Sequence, residues 1–587
     1  MQKLLSQLLP SFAHAAVAAD GVTPVENTDI ADIPVNSLAF DSREVTPGAL
    51  FFALPGTHIN GNEFIPAALE NGANAVVFQG DIPHDVQIEA AKLVAKRALE
   101  AEFLDADDEK TAIPAFIKVD DARFSMAPVA DAFYDSPSKR LIVIGVTGTE
   151  GKSSTVSFIW QLLRACGKKA GFISTVEYSL GGEALPNPQH QTTPEAPVIQ
   201  HHLNAMLENG CTYAVVESSS HGLSTRTNRL GNVLFDCGVF MNVTLEHLEF
   251  HKTFEQYRND KANLFRALDK HDHVKTISGT TMKVPSIGVV NLEDPSAQYF
   301  TEATKHPVYG FTTEGQAGKA AAETGANASP LPPIPEGTRY MIGRNIASAR
   351  FGISFSIDAD GEDAVFRDTD DPALPRKHPV IHVTAPLPGA FNAYNTMAAL
   401  IAVSSVTQKP FAEITQYISR LTPIKGRMTV IDKGQPFELI VDYAHTPSSF
   451  ETIFPPLRKR CTGRMFALFG SGGERDLTKR PLQGEIAAKF CDVLMLADED
   501  PRGENPMTLL QMIADGAEKQ GKKKGVDLFM IPDRPTAIRE VFRMAGKGDI
   551  VLLLGKSHEN SIIYKDYVLK YDEISEAERA LAEMGYK

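Results

Sequence analysis

The chain has 587 residues, 43% of them hydrophobic, enough to bury several separate cores and too many for one small module. Its 58 basic and 73 acidic residues leave a formal charge of −15, which argues against broad nucleic-acid binding but permits a local basic pocket for a nucleotide. No apolar run reaches the roughly 18 to 20 residues of a membrane span, and the five scattered cysteines (Cys166, Cys211, Cys237, Cys461 and Cys491) have neither metal spacing nor the pattern of a disulfide framework.

At the N-terminus, Lys3 is followed by LLSQLLPSFAHAAVAA, interrupted by Ser6, Gln7, Pro10 and His14. This reads as an amphipathic helix rather than a secretory signal, and a cytoplasmic protein is expected. From about 35 to 137, the short runs SLAF, ALFFAL, AVVF and AFIKV, separated by DSR, PGT and GAN turns, predict a small mixed domain that carries an acidic stretch at 105–109. At Leu141 the texture changes to LIVIGV, a strand buried on both faces. It leads into a Gly-rich turn and a helix whose apolar face is Val156, Ile159, Trp160, Leu163 and Cys166. Further buried strands are expected at 213–217, 237–243 and 286–291. Residues 314–337 are rich in Ala, Gly and Pro and contain no aromatic residue, the composition of a flexible insertion. After Gly426, the runs ELIVDY, MFALFG, DVLMLAD, LFMI and DIVLLLG alternate with helical patterns and predict a second doubly wound α/β domain.

The first chemical motif is GVTGTEGKSS, from Gly145 to Ser154. A strand, a Gly-rich turn and Lys-Ser at a helix N-terminus form a phosphate cradle: backbone N–H groups face the anion, Lys152 reaches the terminal phosphates and Ser153 can bind Mg²⁺. The spacing departs from GxxxxGK[ST], since Val146 stands where the first Gly would be. Glu217 ends an apolar strand before SSSHGL, where an open α/β sheet presents its strand ends to the phosphate loop, so it is the natural carboxylate for the metal. Downstream, Glu246, His247, His251 and Lys261 share one polar segment. None is diagnostic alone; their order after Lys152 and Glu217 gives them weight.

Taken together the chain resembles the Mur ligases, ATP-dependent amide-forming enzymes of peptidoglycan precursor synthesis, from about Asp41 to its C-terminus. Within that family it is most similar to the MurE type, which adds the third residue of the stem peptide. The resemblance rests on DSREVTPGALFFAL (41–54), TGTEGKSS (147–154), TTPE (192–195), ESSSHGL (217–223), MNVTLEHLEFH (241–251), DKANLF (260–265), LPGAFNAYNTMAA (387–399), GRM (426–428), DYAHTP (442–447), FGSGGERDLTKRP (469–481), DEDPR (498–502) and GKSHE (555–559), in that order.

The resemblance implies an α/β protein of three domains: a small mixed UDP-binding domain (1–138), a central P-loop ATPase-like parallel-sheet domain (139–423) and a C-terminal Rossmann-like, amino-acid-binding domain (424–587). It implies ATP contacts at Gly148, Thr149, Gly151, Lys152, Ser153, Ser154, Asn392, Asn395, Arg427 and Asp442. The UDP-MurNAc-dipeptide falls to Ser42, Thr192, Thr193, Ser219 and Arg229, with Arg226 a competitor for the last. Mg²⁺ falls to Ser153, Glu217, His247 and Lys261, the lysine being carbamylated by CO₂; Lys152, Glu217, His247 and Lys261 are the catalytic set. Glu246 stands where the family has Asp and receives no role.

The reaction implied joins a diamino acid to the D-Glu carboxylate of UDP-MurNAc-L-Ala-D-Glu through an acyl phosphate, in a monomer with neither nucleic-acid nor membrane partner. The amino acid would meet Arg475, Glu499, Asp500, Arg502, Gly555 and Glu559. Arg502 favours the distal carboxylate of meso-diaminopimelate. Asp500, where the diaminopimelate pattern has Asn, adds a negative charge and favours L-lysine or L-ornithine, to which the reading leans. The rival readings are a folylpolyglutamate synthetase-like ligase and a P-loop GTPase; the latter lacks any Asn-Lys-x-Asp segment.

Overall fold

The computed structural model describes the chain except residues 57–59, 103–112, 189–190, Leu245, His247, 314–334, 336–337 and 361–380. The acidic stretch at 105–109 and nearly all of the expected insertion at 314–337 thus lie outside the described residues.

Three sheets organise the molecule. The first, near the N-terminus, has the order Ala15–Val17, Ala115–Val119, Ala75–Gln79, Ala49–Ala53, Ser37–Ala39, parallel throughout except for its first strand. The four expected runs form four of these strands. The fifth overturns the expected N-terminal helix: only Leu5–Leu8 are α-helical, Leu9–Ser11 form a 3-10 turn, and Ala15–Val17 pair with Ala115–Val119. Pro10 supplies no N–H and cannot continue the helix, while the following Ala-Ala-Val covers a sheet edge that would otherwise be bare. Leu5 and Leu8 are fully buried in that domain's core.

The second sheet has eleven strands among the described residues. Its middle is parallel: Ala170–Ile173, Tyr213–Glu217, Ile142–Thr147, Cys237–Phe240, Ile287–Asn291, Val308–Thr313 and Arg339–Ala349 lie side by side. Antiparallel strands Gly352–Asp360 and Ile381–Ala385 extend one end. Continuous apolar runs form these central strands because both faces are covered. One covering helix, Asn392–Thr407, is buried on nearly every side and packs against the helix Lys152–Ala165.

The third sheet runs Thr429–Ile431, Glu438–Asp442, Ile550–Leu554, Met465–Phe469, Val493–Leu496, Leu528–Met530, parallel apart from its first strand. The C-terminal ends of its strands carry DYAHTP, FGSGGERD, DEDPR and GKSHE, the place where open α/β sheets bind ligands. No helix among the described residues is long and apolar enough to cross a membrane.

Candidate active site

Strands Ile142–Thr147 and Tyr213–Glu217 are parallel neighbours with Glu217 opposite Val146. That register delivers Glu217 to the start of the phosphate loop. The helix Lys152–Ala165 begins at once after Gly151, which sits at φ +82°. A side chain there would meet the Asn395 Oδ1 at 2.7 Å, so glycine is required by both conformation and space. Ser153 Oγ, at the helix N-terminus, donates to Glu217 Oε1 at 3.1 Å; Thr175 supplies the other donors to that carboxylate, from its N–H at 2.9 Å and its hydroxyl at 3.0 Å. Lys152 Nζ donates to the Thr149 carbonyl at 2.8 Å, folded back over its own loop.

Lys261 lies on the buried face of helix Phe254–Leu268 with Tyr257, Leu264 and Phe265. Its Nζ donates to the Gly148 carbonyl at 2.6 Å and lies 4.6 Å from the Tyr257 ring centroid. Burial, reinforced by the charge of Lys152, holds this amine well below the ordinary lysine range. Lys152, Ser153, Glu217 and Lys261 thus gather around one loop. His247 lies outside the described residues; its neighbour Glu246 approaches His445 Nε2 of the C-terminal domain at 3.7 Å.

The remaining nucleotide candidates meet across the domain boundary. A cavity of about 390 Å³ is lined by Gly151, Ser153, Ser154 and Asn395 on the central domain and by Arg427 and Asp442 beyond it. Asn392 and Asn395 are linked side chain to side chain at 2.9 Å, and Thr155 Oγ1 donates to Asn395 at 3.3 Å. Asp442 accepts from the Met428 and Ala444 N–H groups at 2.7 and 2.8 Å. Burial raises its carboxyl pKa against the opposing pull of Arg427.

Of the peptide-side candidates, Thr193 Oγ1 donates to the Glu217 carbonyl at 2.8 Å and accepts from the Ser219 N–H at 3.0 Å. Arg229 donates to the Thr193 carbonyl at 2.9 Å and to Glu195 at 2.8 Å, whereas Arg226 reaches the Phe250 carbonyl and stacks on its ring. Thr192 precedes Thr193 in the same loop. Ser42 lies in the N-terminal domain, buried, its carbonyl held by Asn71.

At the ends of the C-terminal strands, Gly555 sits at φ +96° with Glu499 Oε2 2.7 Å from where a Cβ would stand. Glu499 and Glu559 have carboxyl pKa values raised by burial. The charge that the sequence argument assigned to Asp500 is not free: Asp500 Oδ1 accepts from Lys556 Nζ at 2.8 Å and from the Ile563 N–H at 2.9 Å. Arg475 is exposed at the edge of the Gly473 loop.

Sequence reasoning passed over several residues. Asn242 Oδ1 accepts from the N–H groups of Thr149 and Glu150 at 3.0 and 2.8 Å, clasping the phosphate loop; its signal was its place in MNVT. Arg123 of the N-terminal domain shares Glu195 Oε1 with Arg229. Thr175 and Lys556 had no signal apart from lying in or near motifs.

A phosphate loop facing a buried carboxylate and a lysine whose pKa burial lowers, with a second α/β domain lining the same cavity, is the arrangement of a nucleotide-dependent enzyme. The comparisons name the family. Three family models match: "Mur ligase family, catalytic domain" over 34–134, "Mur ligase middle domain" over 146–403 and "Mur ligase, glutamate ligase domain" over 426–557. The UDP-N-acetylmuramyl-tripeptide synthetase of Treponema denticola is 47% identical over 561 residues, covering 93% of this chain and 94% of that protein. The UDP-N-acetylmuramoyl-L-alanyl-D-glutamate--2,6-diaminopimelate ligase of Geobacillus thermodenitrificans is 32% identical, covering 99% of each. The MurF crystal structure from Acinetobacter baumannii aligns with a TM-score of 0.60 at 14% identity, covering 100% of this chain and 99% of that one, a likeness of fold. The chain belongs to the Mur ligase family.

Proposed function

We propose that this chain is an ATP-dependent amide ligase that joins a diamino acid to the D-Glu carboxylate of UDP-MurNAc-L-Ala-D-Glu. The observation that carries the reading is Glu217, whose side chain faces the phosphate loop through Ser153 while its carbonyl is held by Thr193 on the peptide side. On this reading one residue would adjoin both the phosphoryl donor and the acceptor carboxylate.

A carboxylate is a poor acyl donor to an amine until it is phosphorylated; the amine then attacks the acyl phosphate and phosphate leaves. Lys152 and the loop N–H groups would offset the charge on the transferred phosphoryl group. Arg427 and Asp442 bring the C-terminal domain onto the same cavity, and closure excludes water from the acyl phosphate. The oxygen donors of Ser153 and Glu217 suit Mg²⁺. Bound there, Mg²⁺ would neutralise phosphate charge, with His247 a further ligand by family resemblance. The lowered pKa of Lys261 leaves its amine free to add CO₂: an N–C bond forms, a proton is released, and the resulting carbamate anion can serve the same metal.

The test is phosphate release with ATP, Mg²⁺, UDP-MurNAc-L-Ala-D-Glu and a panel of diamino acids. Release should require all components and yield the amide. Release that ignores the UDP-peptide, or that responds to folate and glutamate instead, would refute the assignment.

A further inference from the structure

Lys556 follows Gly555 at the end of a C-terminal strand and is completely enclosed, with 0% of its surface exposed. Its ammonium donates to Asp500 Oδ1 at 2.8 Å and to Glu559 Oε2. Asp500 is further held by the Ile563 N–H, and the other oxygen of Glu559 accepts from the Tyr443 hydroxyl at 3.3 Å. Burial pulls the Lys556 pKa down, but Glu559 and Asp500 outweigh it and the net displacement is upward. The lysine therefore stays charged. Arg502, two residues beyond Asp500, has its backbone fixed at φ +54° by an N–H donated to the Ile563 carbonyl at 2.9 Å, and its Nε is buried with no hydrogen-bond partner among the described residues.

A bare carboxylate in a desolvated pocket attracts the distal ammonium of a basic amino acid, whereas one already paired with a buried lysine and a backbone N–H has little left to offer. We propose that Lys556 is a specificity-determining residue. By pairing with Asp500, it weakens that carboxylate's pull on a distal ammonium and leaves Arg502 to select a diamino acid whose far end carries a carboxylate. The inference rests on the amide-ligase reading and on the amino acid lying between Asp500 and Arg502. Lys556 acts through Asp500, so it is a positioning residue whose signature is a ratio between substrates rather than a loss of rate.

The experiment compares kcat/KM for meso-diaminopimelate and L-lysine in the parent enzyme, K556M, D500N and the D500N/K556M double variant. The parent should favour meso-diaminopimelate. K556M should move the ratio toward L-lysine by about tenfold or more, because the freed carboxylate now meets the distal group. D500N/K556M, which removes both charges together, should return the ratio toward that of the parent. D500N alone removes one negative charge while Lys556 stays paired with Glu559, and should push the ratio further toward diaminopimelate.

A parent that prefers L-lysine, a K556M variant that loses both substrates equally, or a double variant that keeps the K556M ratio would each overturn the proposal. Should K556M fail to fold, D500N and the double variant still decide, since ratios equal to the parent's in D500N contradict it. A parent that joins no diamino acid at all would instead refute the ligase reading, a failure distinct from an unmoved ratio in an active enzyme.

Discussion

Two side chains at the residue scale have consequences that a titration or a rescue experiment can reach. Lys261 sits on the Gly148 carbonyl, wholly buried. If its carbamate is the working form, Lys261→Ala should lose at least about 100-fold in turnover. A small added carboxylic acid should restore part of that loss, and full activity without rescue would remove the role. Asp498, at the start of DEDPR, accepts from the Tyr564 hydroxyl at 3.0 Å, and burial pushes its carboxyl up to about 6. Its native pKa lies above the ordinary 3.8, so the folded state holds the proton more tightly than the unfolded chain. The penalty for ionising it is absent below pH 4 and complete above about pH 7. Asp498→Asn keeps an acceptor for Tyr564 and should therefore gain about 1 to 2 kcal/mol of stability relative to the parent, which loses that much on going from pH 4 to pH 8, discounted for partial solvent access. Chemical denaturation at the two pH values checks the sign.

At the scale of elements, the buried parallel strands were legible because a strand covered on both faces must be apolar along its whole length, as in IVIGVT and IVLLL. Less legible were strands Arg339–Ala349, Gly352–Asp360 and Ile381–Ala385. They extend the sheet past its doubly covered centre, and their mixed sequences, such as RYMIGRNIASA, carry no continuous apolar run. The N-terminal strand was hidden for a different reason, since its three residues become a strand only through the edge they cover. Topology also bounds how short the expected insertion at 314–337 could be made. Strands Val308–Thr313 and Arg339–Ala349 are parallel neighbours, and joining two parallel neighbours takes a crossover about one strand long. At ~3.3 Å per residue, a return of about 20 Å needs six or more residues plus turns. Cutting 314–337 to four residues should sharply lower the melting temperature, whereas a linker of about 15 should leave it nearly unchanged.

For the whole molecule, polar contacts link the three sheets beside a few apolar ones, such as Ala196 in the N-terminal core and Phe391 against the C-terminal one. Thr446 donates to Glu150 at 3.2 Å, Thr244 and Ser448 hydroxyls lie 3.3 Å apart, and Arg123 and Arg229 converge on Glu195. Such contacts are invisible in sequence because the partners lie in different domains; the TTPE motif held Thr193 and Glu195, while Arg229, with Arg226 as its competitor, and Arg123 lie outside the motifs. Arg123 orients Glu195 and hence Arg229 beside Thr193, so Arg123→Ala should raise KM for the UDP-peptide about tenfold with KM for ATP changed less than twofold. Equal rises in both would mean that the domains have simply come apart.

The position of Glu217 carries one further consequence. Its carboxylate answers to Ser153 and Thr175, and its peptide carbonyl, on the same residue, answers to Thr193. Under the proposed assignment, any shift that a nucleotide imposes on that strand end would reach the Thr193 loop without an intermediary, and linkage demands that the influence run equally in reverse. Whatever factor ATP confers on the affinity for the muramoyl peptide, the peptide must confer on ATP, so a Mur ligase wired in this way registers the scarcer of its two partners through its hold on the other.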